Sequence, residues 1–198
     1  MAIKPAGWFN KFLVIDCETT GLCFDHSNPD ITDGYQSVSW GMIVSDMKTM
    51  KPIEELYIEI KWDGVSNWHW KAEKTHGLSK AYLEKNGMDE EEAAVAIAQF
   101  IGSHFDVSET IICMGHNVGR FDIPFLKKLL LKHDFPFSFS HRCLDSSSLA
   151  AMTIGSFTSQ QMFDDLGIER GEVHNALEDC RATLTACRII RKLFQSNL

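Results

Sequence analysis

Carboxylates at strand and helix ends are the residues of this chain with the clearest chemical potential. Asp16 and Glu18 stand at alternate positions where Phe12–Asp16, a short aliphatic run that predicts a buried strand, comes to its end. Alternation sends both side chains to the same side. Two carboxylates there repel each other and lose hydration, so a positive group belongs between them; a strand end facing solvent is the plain alternative. Thr19-Thr20-Gly21-Leu22 follows at once. It reads as a turn with exposed backbone N–H groups that can hold a sugar–phosphate end while Leu22 packs on a base, or as an ordinary strand-ending turn.

A third carboxylate, Asp122, closes the segment Gly115-His116-Asn117-Val118-Gly119-Arg120-Phe121-Asp122, which leaves one buried strand and enters a helix. An acid at a helix N-terminus is stabilising in its own right. If the preceding strand lies beside the first, Asp122 also joins Asp16 and Glu18. The fourth group is His174-Asn175-Ala176-Leu177-Glu178-Asp179. On one helix, His and Asp five residues apart point about 140° away from each other. With Asn175 as the cap and Glu178 completing a capping box, His174 instead precedes the helix and can swing over the site. Asp179 then faces inward from the second turn. Such a histidine suits a general base, because imidazole titrates near neutral pH; a structural role at the helix start is the alternative.

The elements that position these residues can be read from periodicity. Val38–Ser45 and Leu56–Ile60 look like strand neighbours of Phe12–Asp16, and Cys23–Gln36, with Asp25, Asp30 and Asp33, is a loop by composition. Glu90–Phe105 carries a helical apolar stripe at Ala93, Ala94, Ile97, Phe100 and Ile101; Thr110–Met114 is a further buried strand. Arg120–His133 reads as a helix with Pro124 in its first turn, and Ser159–Leu166 as a short helix ended by Gly167. The last helix should bury Leu177, Cys180, Leu184, Cys187, Ile190 and Leu193 or Phe194. Three early strands followed by alternating helices and strands indicate an α/β domain with a mixed sheet, and 198 residues without a linker are expected to form a single domain over 1–198.

These four groups resemble the motifs of the DEDDh 3′→5′ exonucleases, which include bacterial polymerase proofreading subunits, oligoribonuclease and RNase T. Asp16 to Leu22 is similar to the first motif, His116-Asn117 with Phe121-Asp122 to the second, and His174 to Asp179 to the third. Thr75-His76-Gly77-Leu78 is similar to the family's His-Gly-Ile segment. The resemblance runs from about Phe12 to Phe194. It implies a ribonuclease H-like fold, with a five-stranded mixed sheet flanked by α-helices. It also implies two divalent cations, Mg²⁺ or Mn²⁺. Asp16 would bridge both, Glu18 and Asp179 would complete one ion's protein ligands, Asp122 would serve the second partly through water, and His174 would be the base. Thr19, Thr20, Gly21, Leu22, His76, His116, Asn117 and Phe121 are then the residues expected to contact substrate.

Composition limits the partners. A net charge of −8 argues against tight, non-specific duplex binding, since phosphate affinity rests on Lys and Arg, but a carboxylate cluster awaiting cations accounts for part of that charge. The basic groups Lys127, Lys128 and Lys132, and Arg181, Arg188, Arg191 and Lys192, either guide a phosphate backbone or form solvated helix faces. Trp62, Trp68 and Trp70 with His69 form an aromatic group that could stack on unpaired bases or pack an irregular connection. The Cys23–Gln36 loop is longer than the family's usual connection and is either a lid or a solvated loop.

Six cysteines without a C-x-x-C pair read as small buried hydrophobes in a reducing compartment. No apolar run reaches the roughly 18 residues of a membrane span, and the segment after Lys4 and Lys11 is too short for a signal-peptide core. A cytoplasmic protein is expected. The leading expectation is an exonuclease on single-stranded DNA or frayed 3′ ends, with a polymerase or replication partner engaged through the domain surface. An RNA-directed exoribonuclease and a catalytically silent binding module are the alternatives, the second opposed by the complete set of five site residues.

Overall fold

The computed structural model describes residues 10–23, 27–169, 171 and 173–196; Lys4 and the loop residue Asp25 lie outside them. Phe12, Leu13, Val14 and Ile15, none of them exposed, form the centre of β1 (Lys11–Thr19). β1 pairs antiparallel with β2 (Ser37–Asp46), which pairs antiparallel with β3 (Pro52–Glu59). Two short helices, α1 (Trp70–His76) and α2 (Lys80–Asn86), lead to α3 (Glu90–Gly102).

The expected strand Thr110–Met114 is instead two pieces. β4 (Thr110–Ile111) pairs with β6 (Ser138–Phe139) in a separate two-stranded sheet, while β5 (Cys113–Gly115) joins β1 in parallel. α4 (Asp122–Lys132) follows β5 and keeps Pro124 in its first turn, where the missing N–H costs nothing. β7 (Leu144–Asp145) completes a five-stranded mixed sheet in the order β3-β2-β1-β5-β7. α5 (Ser146–Ile154), α6 (Ser159–Asp165) and α7 (Ala176–Ser196) close the chain order.

Period-two alternation along β1 decides what each face meets. Leu13, Ile15 and Cys17 pack with Ile97 and Ile101 of α3 and Leu126 and Leu129 of α4. Phe12 and Val14 pack with Cys180, Leu184 and Cys187 of α7. Each fully buried aliphatic side chain here contributes about 1.5–3 kcal/mol relative to exposure. Asp16 and Glu18 continue the even-numbered series, so they fall on the α7 side of the sheet.

α7 differs from its expected stripe at the far end. Leu177 to Ile190 pack as anticipated, but Leu193 and Phe194 are 48% and 54% exposed. Arg191 reaches back to the Met47 carbonyl just beyond β2, so the last turns have already run past the sheet. Ala182 and Ala186 instead widen the buried face towards α5 and α6. Among the described residues, no helix is long and apolar enough to cross a membrane, and all six cysteines are free thiols.

Candidate active site

The site forms at the end of β1, the strand with an antiparallel neighbour, β2, on one edge and a parallel one, β5, on the other. β5 runs beside β1 in the same direction, so both strands deliver their C-terminal ends, and the loop to α4, to one edge. A bulge between Glu18 and Thr19 ends the regular pairing with β2 and increases the local twist, which re-aims the strand's last side chains.

Asp122 is the first residue of α4 and is 1% exposed. Its Oδ1 accepts the Cys17 backbone N–H at 3.0 Å, which ties it to β1 between Asp16 and Glu18. Burial pushes this carboxyl up to about 7; hydrogen bonds from the Cys17 thiol and backbone oppose the shift, and nearby Asp145 adds to it. A cation beside the group would reverse that balance.

The third motif meets the first as expected. Asn175 Oδ1 accepts from the Leu177 and Glu178 N–H groups, both at 3.1 Å, and so caps α7. Glu178, expected to complete a capping box, pairs with Arg181. Asp179 closes the first helical turn, one turn earlier than anticipated, and still faces the sheet. His174 lies ahead of the helix with its N–H on the Thr75 carbonyl at 3.2 Å. Its Nδ1 is 3.9 Å from Glu18 Oε1 and 3.7 Å from Asp179 Oδ2.

Among the described residues, Glu18, His174 and Asp179 each offer a ligand atom, all within 4.8 Å of one another, and Asp16 and Asp122 line the same pocket of about 200 Å³. A cluster dominated by carboxylate oxygens, with one imidazole, fits a hard divalent cation that keeps several waters.

A second pocket, of about 330 Å³, opens on the other side of Glu18. Thr19, Gly21, Leu22, His76 and Phe121 line it, and His116 and Phe121 line the carboxylate pocket. Two expected substrate contacts lie elsewhere. Thr20 is fully buried, with its N–H on the Gln36 carbonyl at 2.8 Å, because the long loop returns to cover the turn that was expected to expose its amides. Asn117 is exposed, adopts a φ of 59°, and accepts the Ser147 hydroxyl at its Oδ1.

His76, 2% exposed, accepts the Leu78 N–H at Nδ1. Burial draws its pKa down, opposed by the Thr19 backbone and Glu73.

Sequence reasoning missed Tyr35 and Lys71 in the second pocket, quoted Thr75 only within the segment around His76, and considered His69 only as part of the aromatic group. Tyr35 comes from the long loop, and the described part of that loop is held down rather than lid-like: Lys128 Nζ donates to the Thr32 and Tyr35 carbonyls at 2.7 and 2.8 Å. Tyr35 packs so closely on Gly21, whose φ is 146°, that a Cβ there would lie 2.5 Å from its ring.

Several basic residues of the two anticipated groups are also committed within the fold. Lys132 pairs with Glu90, Arg181 with Glu55 and Glu178, and Arg191 with the Met47 carbonyl.

A family model described as exonuclease, RNase T, matches residues 13–187. Curated protein sequences yield no significant match. Solved structures share the fold. The zinc-bound form of an E. coli exonuclease I complex with single-stranded DNA superposes with TM-score 0.74 at 18% identity, over 93% of this chain and 41% of that one. E. coli exonuclease I with a dT13 oligonucleotide gives 0.73 at 17% identity, covering 95% and 43%. Exonuclease I from Methylocaldum szegediense, a moderately thermophilic enzyme, gives 0.71 at 18%, covering 92% and 40%. The chain thus spans about two-fifths of the length of these structures. Their likeness agrees with the ribonuclease H-like arrangement of the five-stranded sheet and its helices, and the family match, which takes in β1 and most of α7, shows that the chain belongs to the RNase T exonuclease family.

Proposed function

We propose that this chain is a 3′→5′ exonuclease on unpaired 3′ ends, preferentially of DNA, releasing nucleoside 5′-monophosphates. The observation that carries the reading is the convergence of Glu18, His174 and Asp179 within 4.8 Å, beside Asp16 and Asp122 and next to a pocket of about 330 Å³. Membership of the exonuclease family supports it. Neighbouring structures with single-stranded oligonucleotides support DNA as the polymer.

In this reading Asp16, Glu18, Asp122 and Asp179 would hold two divalent cations, Mg²⁺ or Mn²⁺. When bound, they supply Lewis-acid stabilisation of the attacking and leaving oxygens. The chain does the rest. Thr19, Gly21, Leu22, His76 and Phe121 seat the terminal nucleotide and fix its phosphodiester over the carboxylates, while His116 and Phe121 close the other side. His174 takes a proton from the attacking water. The new P–O bond forms as the bond to the preceding nucleotide's 3′ oxygen breaks, and that oxygen takes a proton from solvent water to leave as a hydroxyl.

The 198 residues act as one exonuclease domain in a reducing, cytoplasmic setting, which the six free thiols support. A polymerase or replication partner would engage the domain surface.

The test is digestion of matched 3′-labelled and 5′-labelled single-stranded DNA and RNA with Mg²⁺ or Mn²⁺. Expected are mononucleotides from the 3′ end of DNA, abolished by EDTA and restored by either cation. Full activity in excess chelator, or release from the 5′ end, overturns the proposal. Faster digestion of RNA transfers it to the exoribonuclease reading.

A further inference from the structure

The three tryptophans after β3 do not share one role. Trp62 and Trp68 meet edge to face at 6.0 Å, and both indole N–H groups are bonded, to the Ser66 carbonyl and to Glu73 Oε2. Lys80 lies over both rings, 3.5 Å from the Trp62 centroid and 5.2 Å from that of Trp68. These two are half-buried packing residues of the connection. Trp70 differs: it is 65% exposed, stacked on the His69 ring at 6.2 Å and 19°, with Lys71 Nζ 5.7 Å from its centroid.

Its position gives that exposure a use. The residues on either side of Trp70, His69 and Lys71, both line the pocket beside Glu18, whereas Trp70 does not. Trp70 is exposed between two lining residues, and its backbone belongs to the wall that forms this rim of the pocket. The His69 N–H donates to the Thr20 carbonyl at 2.7 Å, which fixes this rim to the end of β1 and hence to the carboxylates. A large exposed aromatic ring beside a cation, held at the mouth of a nucleotide-sized pocket, is the chemistry that stacks unpaired bases without regard to sequence.

Resting on the exonuclease reading, we propose that Trp70 is a substrate-positioning residue: its indole stacks on the base adjoining the one seated in the pocket. A paired base has both faces covered by its neighbours, so this contact selects for an unpaired strand. Lys71, beside the ring, faces the backbone of the same nucleotides.

The experiment compares Trp70→Ala and Trp70→Phe with the wild type. Trp70→Ala should raise KM for a short oligothymidylate roughly 5- to 150-fold, the range for losing one stacked base, with kcat little changed. Trp70→Phe should stay within a few-fold of wild type. Inhibition by thymidine monophosphate should be unaffected in both, because that ligand fills only the pocket. Independently of turnover, a phosphorothioate oligothymidylate should quench wild-type tryptophan fluorescence, and most of that quench should vanish in Trp70→Phe.

A KM for Trp70→Ala within twofold of wild type, an undiminished quench in Trp70→Phe, or an equal loss of monophosphate binding overturns the proposal. Failure of the exonuclease reading shows separately, as no cation-dependent cleavage by the wild type, and the quench still reads Trp70 in that case.

Discussion

Gly41 on β2 faces the backbone of Ala176 so closely that a Cβ built there would lie 2.2 Å from the Ala176 carbonyl carbon and 2.3 Å from the Leu177 nitrogen. The first turn of α7 therefore rests directly on β2, and Cys180 Sγ donates to the Gly41 carbonyl at 3.2 Å in the same contact. This contact sets the height of His174 and Asp179 above Glu18.

Gly41→Ala must lift the start of α7, since backbone cannot yield as a flexible side chain can. Overpacking of this kind costs about 1–3 kcal/mol of stability. A displacement near 1 Å at catalytic groups costs about 100-fold in rate. Thermal melting should show a folded but weaker protein, and calorimetry should show reduced Mn²⁺ affinity. Wild-type cation affinity in a folded Gly41→Ala protein would remove this contact from the positioning of the site.

His174 and Asp179 should separate by what each loses. His174→Ala is expected to lower turnover by about 10²–10⁴-fold, the scale for a positioned base, while cation binding survives on the carboxylates. Asp179→Ala should lose cation affinity and activity together. Calorimetry beside single-turnover kinetics distinguishes the two. If His174→Ala melts earlier but turns over normally at low temperature, the imidazole orders the start of α7 and is not the base.

Lys128 links α4 to the long loop, so Lys128→Met should loosen Tyr35 from the pocket while leaving the carboxylates in place. The expected result is a several-fold rise in KM with cation affinity unchanged, read from steady-state kinetics and calorimetry. Unchanged KM would make the loop irrelevant to substrate.

pH dependence follows from His76. Its folded pKa lies below the ordinary value of 6.5, so as pH falls through that value the unfolded chain takes up a proton that the fold resists. His76 thus favours the fold fully at pH above 6.5 and less as pH drops through that range towards its folded pKa. An NMR titration of its imidazole should find the midpoint below 6.5, and a midpoint at or above 6.5 contradicts the burial argument.

Much of this was legible in the sequence because single residues fixed local geometry. Asn175 placed His174 ahead of the helix, and alternation in Phe12–Glu18 put two carboxylates on one side. Both are short-range consequences of backbone period and capping. The failures were long-range. Thr110–Met114 is apolar throughout, so nothing local marks where it leaves one sheet for another. The helical period in α7 continues through Leu193 and Phe194 although the sheet beneath has ended. Tyr35 enters the pocket beside Glu18 through a lysine 93 positions away, and Thr20 loses its exposed amide to Gln36, 16 residues on. None of these pairings leaves a trace in composition or spacing.

The order in which the site's residues occur along the chain has a consequence for biosynthesis. Asp16 and Glu18 are made first of the four, Asp122 more than a hundred positions later, and Asp179 only with α7, the element that covers the Phe12 and Val14 face of the sheet. A nascent chain on the ribosome therefore lacks the full set of proposed ligands until α7 has emerged and docked. In the proposed reading, hydrolytic capacity would arrive with the closing of that face of the core, and a partly synthesised domain would be unable to attack nucleic acid around it.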